Sequence, residues 1–122
     1  MKILHANNKI PKSQYYFLDE LFSLVDRNDT EFLQYYKTVE NNISKIGMKW
    51  PIVITSEKYY WGSKKWKYKD KLGVIVGTNR LRYAIKNNYT MIEGVFIKKK
   101  DHANNYIKKT YERTNHNTAV CS

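Results

Sequence analysis

Residues 72–88 read LGVIVGTNRLRYAIKNN, and this stretch decides the fold. Leu72 to Val76 is the kind of β-branched run expected of a core strand. It passes straight into Gly77-Thr78-Asn79-Arg80, after which Leu81, Ala84 and Ile85 carry the spacing of a short helix over 80–87 that stops at Asn87–Asn88. A strand ending in glycine, followed by a helix that starts on small polar residues, presents unpaired backbone N–H groups and the positive end of a helix dipole. That arrangement binds anions, phosphate above all. In this reading Gly77 lets the backbone approach the ligand, Thr78 offers a hydroxyl, Asn79 lies in the same box, and Arg80 clamps phosphate oxygens with its forked donors. The same pattern also reads as an ordinary polar-capped strand-to-helix junction, so both readings stand.

Working outward, Pro51 introduces IVITS (52–56), another core strand, and IEGVFI (92–97) is a third. Phe32, Tyr36, Val39, Ile43 and Ile46 form one stripe at helical spacing, with Asp29 or Thr30 as N-cap and Gly47 as the stop. Leu18, Leu21, Phe22 and Val25 predict an earlier amphipathic helix, and Tyr15–Tyr16 and Tyr35–Tyr36 are read on helix faces. Residues 1–12 read as a strand or loop lead-in. Strands and helices alternate without a repeat or linker. The expectation is a single small α/β (α+β) domain over 1–113, with a mixed sheet, flanking helices and a core at 31–97. A basic helix follows at about 101–113 and a flexible tail at 114–122.

The chain has 122 residues, with 22 Lys+Arg against 11 Asp+Glu, a formal net charge of +11. At 42% apolar residues it is too apolar for a wholly disordered chain. No stretch reaches the ~18 consecutive apolar residues of a membrane helix, and no signal-peptide core opens the chain. The lone cysteine, Cys121, forms no intrachain disulfide or cysteine metal cluster. His5, His102 and His116 have no partner at metal-binding spacing, so no metal site is expected. These features point to a cytoplasmic protein with an anionic partner and no membrane association.

The charge is unevenly placed. Residues 1–50 hold 7 basic and 6 acidic side chains, residues 51–122 hold 15 and 5. In KYYWGSKKWKYKDK (58–71) lysines interleave with Tyr59, Tyr60, Trp61, Trp66 and Tyr68, and Gly62 marks a turn, predicting a hairpin excursion. In KKKDHANNYIKKTYER (98–113) lysines line the terminal helix. Lysines track phosphates while rings stack on bases, which suits single-stranded or distorted nucleic acid. The candidate contacts are Lys58, Tyr60, Trp61, Lys64, Lys65, Trp66, Lys67 and Lys69, then Arg82, and finally Lys98, Lys99, Lys100, Lys108 and Lys109. The alternative is a solvated hairpin whose lysines protect a strand edge.

The order of these features resembles the ParB N-terminal and sulfiredoxin-like (ParB-like nuclease) superfamily. The resemblance rests on Gly47, Pro51, the box GTNRLRYA (77–84), the short helix and the strand Met91 to Ile97, and it covers about residues 31–97. It implies a phosphate or nucleotide site at Gly77, Thr78, Asn79 and Arg80, with a nucleoside triphosphate and Mg²⁺ as the cofactors that family chemistry would use. Thr78 stands where sulfiredoxins carry their catalytic cysteine, so sulfiredoxin chemistry is excluded. Asn79 stands where partition proteins have the first arginine of their box, which weakens nucleotide binding of the CTP-switch kind. The Lys, Asn, Tyr and Ile enrichment fits a stand-alone phage or mobile-element member, which would work in the host cytoplasm.

The leading expectation is a nucleic-acid-binding protein, for DNA or RNA. Two others remain: a metal-dependent nuclease or nucleotide-dependent phosphotransferase, and a phage-type inhibitor of an acidic host protein. An enzyme needs carboxylates converging on the phosphate. Asp70 and Glu93 lie nearest in sequence, with Glu57 after the first core strand. None has a spacing that marks a ligand or base, and each reads as a surface residue.

Overall fold

The computed structural model describes residues 1–8, 10–24, 30–102 and 105, and side chains in the long helix from residue 35. Six strands make one mixed sheet: β1 (Ile3–Leu4), β2 (Gln14–Phe17), β3 (Leu21–Ser23), β4 (Ile52–Thr55), β5 (Leu72–Val76) and β6 (Met91–Phe96). Helices α1 (Thr30–Ile46) and α2 (Thr78–Lys86) alternate with them, and short 3-10 turns lie at Leu18–Glu20 and Glu57–Tyr59. This is the expected mixed α/β class.

The sheet runs β1-β6-β4-β5-β3, with β2 added on β6. β6 meets β1 at Met91 and Ile92, β2 from Met91 to Gly94, and β4 from Gly94 to Phe96. A strand has two edges, so β2 covers one while β1 and β4 share the other, end to end. β4 is central, parallel to β6 and antiparallel to β5. All of Ile52–Thr55 is buried, which is why the segment is a continuous apolar run capped by a threonine. That threonine is satisfied: Thr55 Oγ1 donates to the Ile97 carbonyl at 2.7 Å.

Strand alternation divides the core. One sheet face meets both helices, joining Ile52, Ile54, Val74 and Ile92 to Tyr36, Val39 and Ile43 of α1 and to Leu81 and Ala84 of α2. The other face gathers Val53, Val95 and Ile97 with Ile10, Ile75 and Val76. Between β4 and β5 the register shifts: Val53 pairs with Val76 but Ile54 with Val74, so β5 carries Ile75 as an extra residue. This bulge sends both Ile75 and Val76 to the second face and turns the strand end into Gly77.

Three expectations are corrected. The helix expected over Leu18–Val25 is, from Leu18 to Ser23, a 3-10 turn followed by β3, which pairs in parallel with β5 (Leu21 with Leu72, Phe22 with Gly73); Val25 lies outside the described residues. Four apolar residues at that spacing fit a turn plus strand equally well, and the ladder with β5 decides between them. Tyr15 and Tyr16 likewise sit in β2, not on a helix face. Ile46, expected in the α1 stripe, is 59% exposed. α1 ends there: Gly47 adopts φ +83°, donates to the Ile43 carbonyl at 2.8 Å, and turns Met48 into the core in its place. The basic terminal helix and the tail fall almost wholly outside the described residues.

Candidate nucleic-acid interface

The box Gly77–Arg80 is folded in on itself. Gly77 has φ +106°, and its carbonyl accepts the Leu81 N–H at 2.9 Å to start α2. A Cβ there would lie 2.6 Å from Ile52 Cγ2 and 3.1 Å from both Nε and Nη2 of Arg80. Glycine is therefore required twice over, by backbone and by space. The guanidinium packed beneath it donates from Nη1 to the carbonyls of Trp50 (2.6 Å) and Pro51 (3.1 Å), and Arg80 is 3% exposed. Arg80 thus ties the turn ahead of β4 to the β5–α2 junction. Thr78 and Asn79 are buried beside it. Neither polar atom of the Asn79 carboxamide has a hydrogen-bond partner among the described residues. Thr78 Oγ1 lies 3.1 Å from Ser23 Oγ, which joins the start of α2 to the end of β3.

The lysine-rich segment is not a hairpin of its own. After the turn at Glu57–Tyr59 it runs as irregular backbone between the antiparallel strands β4 and β5. Its aromatics meet one another and Phe22 instead of pairing across a ladder. Tyr60 stacks near Trp61 (centroids 6.3 Å, 24°) and meets Trp66 edge-on (5.5 Å). Trp66 in turn meets Phe22 of β3 (4.9 Å), and Phe22 meets Tyr68 (5.4 Å). Trp66 also lies where a side chain on Gly73 would be, since a Cβ there would be 2.7 Å from its Cη2. Edge-to-face contacts of this kind hold the loop against the β3 edge. Trp61 (37%) and Tyr68 (44%) stay exposed.

The loop leaves two adjoining clefts. One, of about 270 Å³, is lined by Phe22, Ser23, Leu24, Lys64, Lys65 and Lys67. The other, of about 280 Å³, is lined by Leu24, Tyr60, Trp61, Gly62, Ser63, Lys64 and Ile75. They share Leu24 and Lys64. Ser23 carries the first cleft to within one hydrogen bond of Thr78, so a cleft lined by three lysines adjoins the positive end of α2. Lysines 64, 65 and 67 are all exposed.

Other expected contacts lie elsewhere. Lys58 and Lys69 are exposed at the two ends of the loop. Lys98, Lys99 and Lys100 follow β6, antiparallel to β5 in the sheet, and so leave at the opposite end from Gly77. Lys108 and Lys109 lie outside the described residues. Arg82 sits over the Tyr36 ring of α1, its guanidinium carbon 5.7 Å from the centroid. Asp70 is exposed in the turn before β5. Glu93 corrects the surface reading: it is 1% exposed, and its carboxylate accepts the Ala6 N–H (3.0 Å) and the Ser13 hydroxyl (2.9 Å). It ties Ala6 and Ser13 to the second sheet face. Among the described residues no three His, Cys, Asp or Glu side chains are grouped to hold a metal ion, and no helix is long and apolar enough to cross a membrane.

Sequence reasoning missed Ser23, Leu24 and Ile75, which line the clefts. All three depend on the parallel pairing of β3 with β5 and on the β5 bulge, and no local pattern announces either. Compared with known proteins, the chain matches no family model and no curated protein.

Proposed function

We propose that the chain is a nucleic-acid-binding protein of the ParB/sulfiredoxin-like kind, using the two clefts beside β3 as its contact surface. The observation that carries this reading is their adjacency: three lysines and a serine line one, two aromatic rings line the other, and Lys64 belongs to both. Lysine ammonium groups attract phosphates by charge and counterion release. Aromatic faces accept bases of any identity, so the contact is expected to carry little sequence information. The Gly77–Arg80 box supports the surface from behind. Arg80 is engaged with carbonyls, so phosphate contact falls to Lys64, Lys65, Lys67 and Ser23, with Thr78 relaying the α2 N-terminus.

The test is binding of a labelled oligonucleotide at rising salt to the wild type and to the Lys64/Lys65/Lys67→Ala variant. Three phosphate contacts correspond to a salt-dependence slope of roughly 2 on a log–log plot for single strands. The variant should bind more weakly and lose about that much slope. Wild-type binding that is unchanged when salt is doubled sinks the proposal. So does a tight complex with an acidic protein accompanied by no affinity for DNA or RNA.

A further inference from the structure

Resting on the reading above, we infer that this surface selects unpaired strands, seating one base at a time in the cleft of Tyr60, Trp61 and Ile75. Three features lead there. The cleft has about 280 Å³, at or below the small end of the ~300–1,000 Å³ range of small-molecule sites, which suits a single ring system and not a base pair within a stack. Its walls are aromatic and aliphatic, and Trp61 is its outermost ring. The neighbouring lysine cleft begins at the shared Lys64, so a nucleotide whose base enters one cleft directs its phosphate toward the other.

The loop is built to hold this shape. Tyr60 is fixed by the edge of Trp66, Trp66 by Phe22, and the hydroxyl end of Tyr60 closes on Gly62, leaving no room for a Cβ there. Any side chain at 62 would therefore displace Tyr60. In a duplex the bases are stacked and paired, and a base would have to be extruded to reach the cleft, at a cost of a few kcal/mol. A single strand offers its bases freely. Duplex binding then relies on lysine–phosphate attraction alone.

The experiment compares three labelled DNA probes of equal length at fixed salt: a single strand, the same strand with abasic sites throughout, and the duplex. Each is titrated with wild type and with Trp61→Ala, whose fold is checked by circular dichroism. The expected result is that wild type binds the single strand about 5- to 100-fold more tightly than the abasic strand, the range that stacking of a base on an aromatic ring supplies. Trp61→Ala should bring the single strand down to the abasic level and leave abasic binding unchanged. Equal binding of all three probes by wild type, or a Trp61→Ala variant as tight as wild type on the single strand, overturns the base seat while the electrostatic reading survives. Binding of none of the probes overturns the nucleic-acid reading itself.

Discussion

Arg80 shows how one side chain can serve as architecture where its surroundings suggest ligand chemistry. Its two carbonyl partners belong to Trp50 and Pro51, thirty residues earlier in the chain, and both bonds are buried. Truncating it leaves those carbonyls unsatisfied, so Arg80→Ala should cost about 2–3 kcal/mol, read as a lower urea midpoint. Arg80→Lys should not restore the loss, because an ammonium lacks the planar fork. A midpoint unchanged in Arg80→Ala would show that the tie is not structural. Glu93 plays the matching role on the other sheet face. With its two partners on Ala6 and Ser13, Glu93→Ala should speed hydrogen exchange at the Ala6 amide and expose the 6–13 segment to limited proteolysis. Unchanged exchange at Ala6 would refute that role.

At the scale of elements, α1 and α2 are clasped by a small polar group. Glu40 Oε2 accepts from Tyr36 Oη at 3.0 Å and from Lys86 Nζ at 2.9 Å, while Arg82 and Lys86 lie over the Tyr36 ring. The hydrogen bond from Lys86, with that from Tyr36, holds the Glu40 carboxyl below its ordinary value. Burial, followed by the bond to Glu40 and its charge, pushes the Tyr36 hydroxyl from 10.0 up to about 12. The signs follow from proton linkage. The folded state favours ionised Glu40, so its contribution is full at neutral pH and is lost as pH falls through the lowered value. It favours protonated Tyr36, so that contribution is full below pH 10.0 and is lost as pH rises to about 12. Alkaline unfolding of Tyr36→Phe should therefore lack the part of the stability loss that the wild type shows between those values. Identical profiles would rule the clasp out. Glu40→Gln should cost no more than about 1 kcal/mol at neutral pH, since Lys86 is largely exposed and the pair is screened.

For the whole molecule the question is whether +11 acts as a net charge or as a placed one. Lys98–Lys100 and the cleft lysines each remove three charges when changed to alanine, but the first follow β6 and the second line a cleft on β3, three strands away across the sheet. Three strand spacings are about 14 Å, beyond the ~10 Å screening length at 0.1 M salt. Lys64/Lys65/Lys67→Ala should therefore weaken oligonucleotide binding far more than Lys98/Lys99/Lys100→Ala. Equal losses would mean that only the total charge matters. The comparison is direct, because both variants carry the same net charge.

Local signals were enough to read the core strands at 52–56, 72–76 and 92–97, within a residue of their observed bounds, the α1 stripe of Tyr36, Val39 and Ile43, and the stops at Gly47 and Asn87–Asn88. β-branching, helical period and left-handed turns act within a few residues, so they can be read along the chain. Tertiary structure decided what depends on partners distant in sequence. β3 is a strand because β5 offers it a parallel edge, Glu93 is buried because Ala6 and Ser13 satisfy it, and Arg80 turns inward because two carbonyls wait beneath Gly77. The candidate site divides the same way. Its lysines and rings were legible in composition and spacing, whereas Ser23, Leu24 and Ile75 were not. A cleft is a relation between segments: only the folding of the 56–71 loop onto the β3 edge turns a basic, aromatic stretch into two adjoining surfaces.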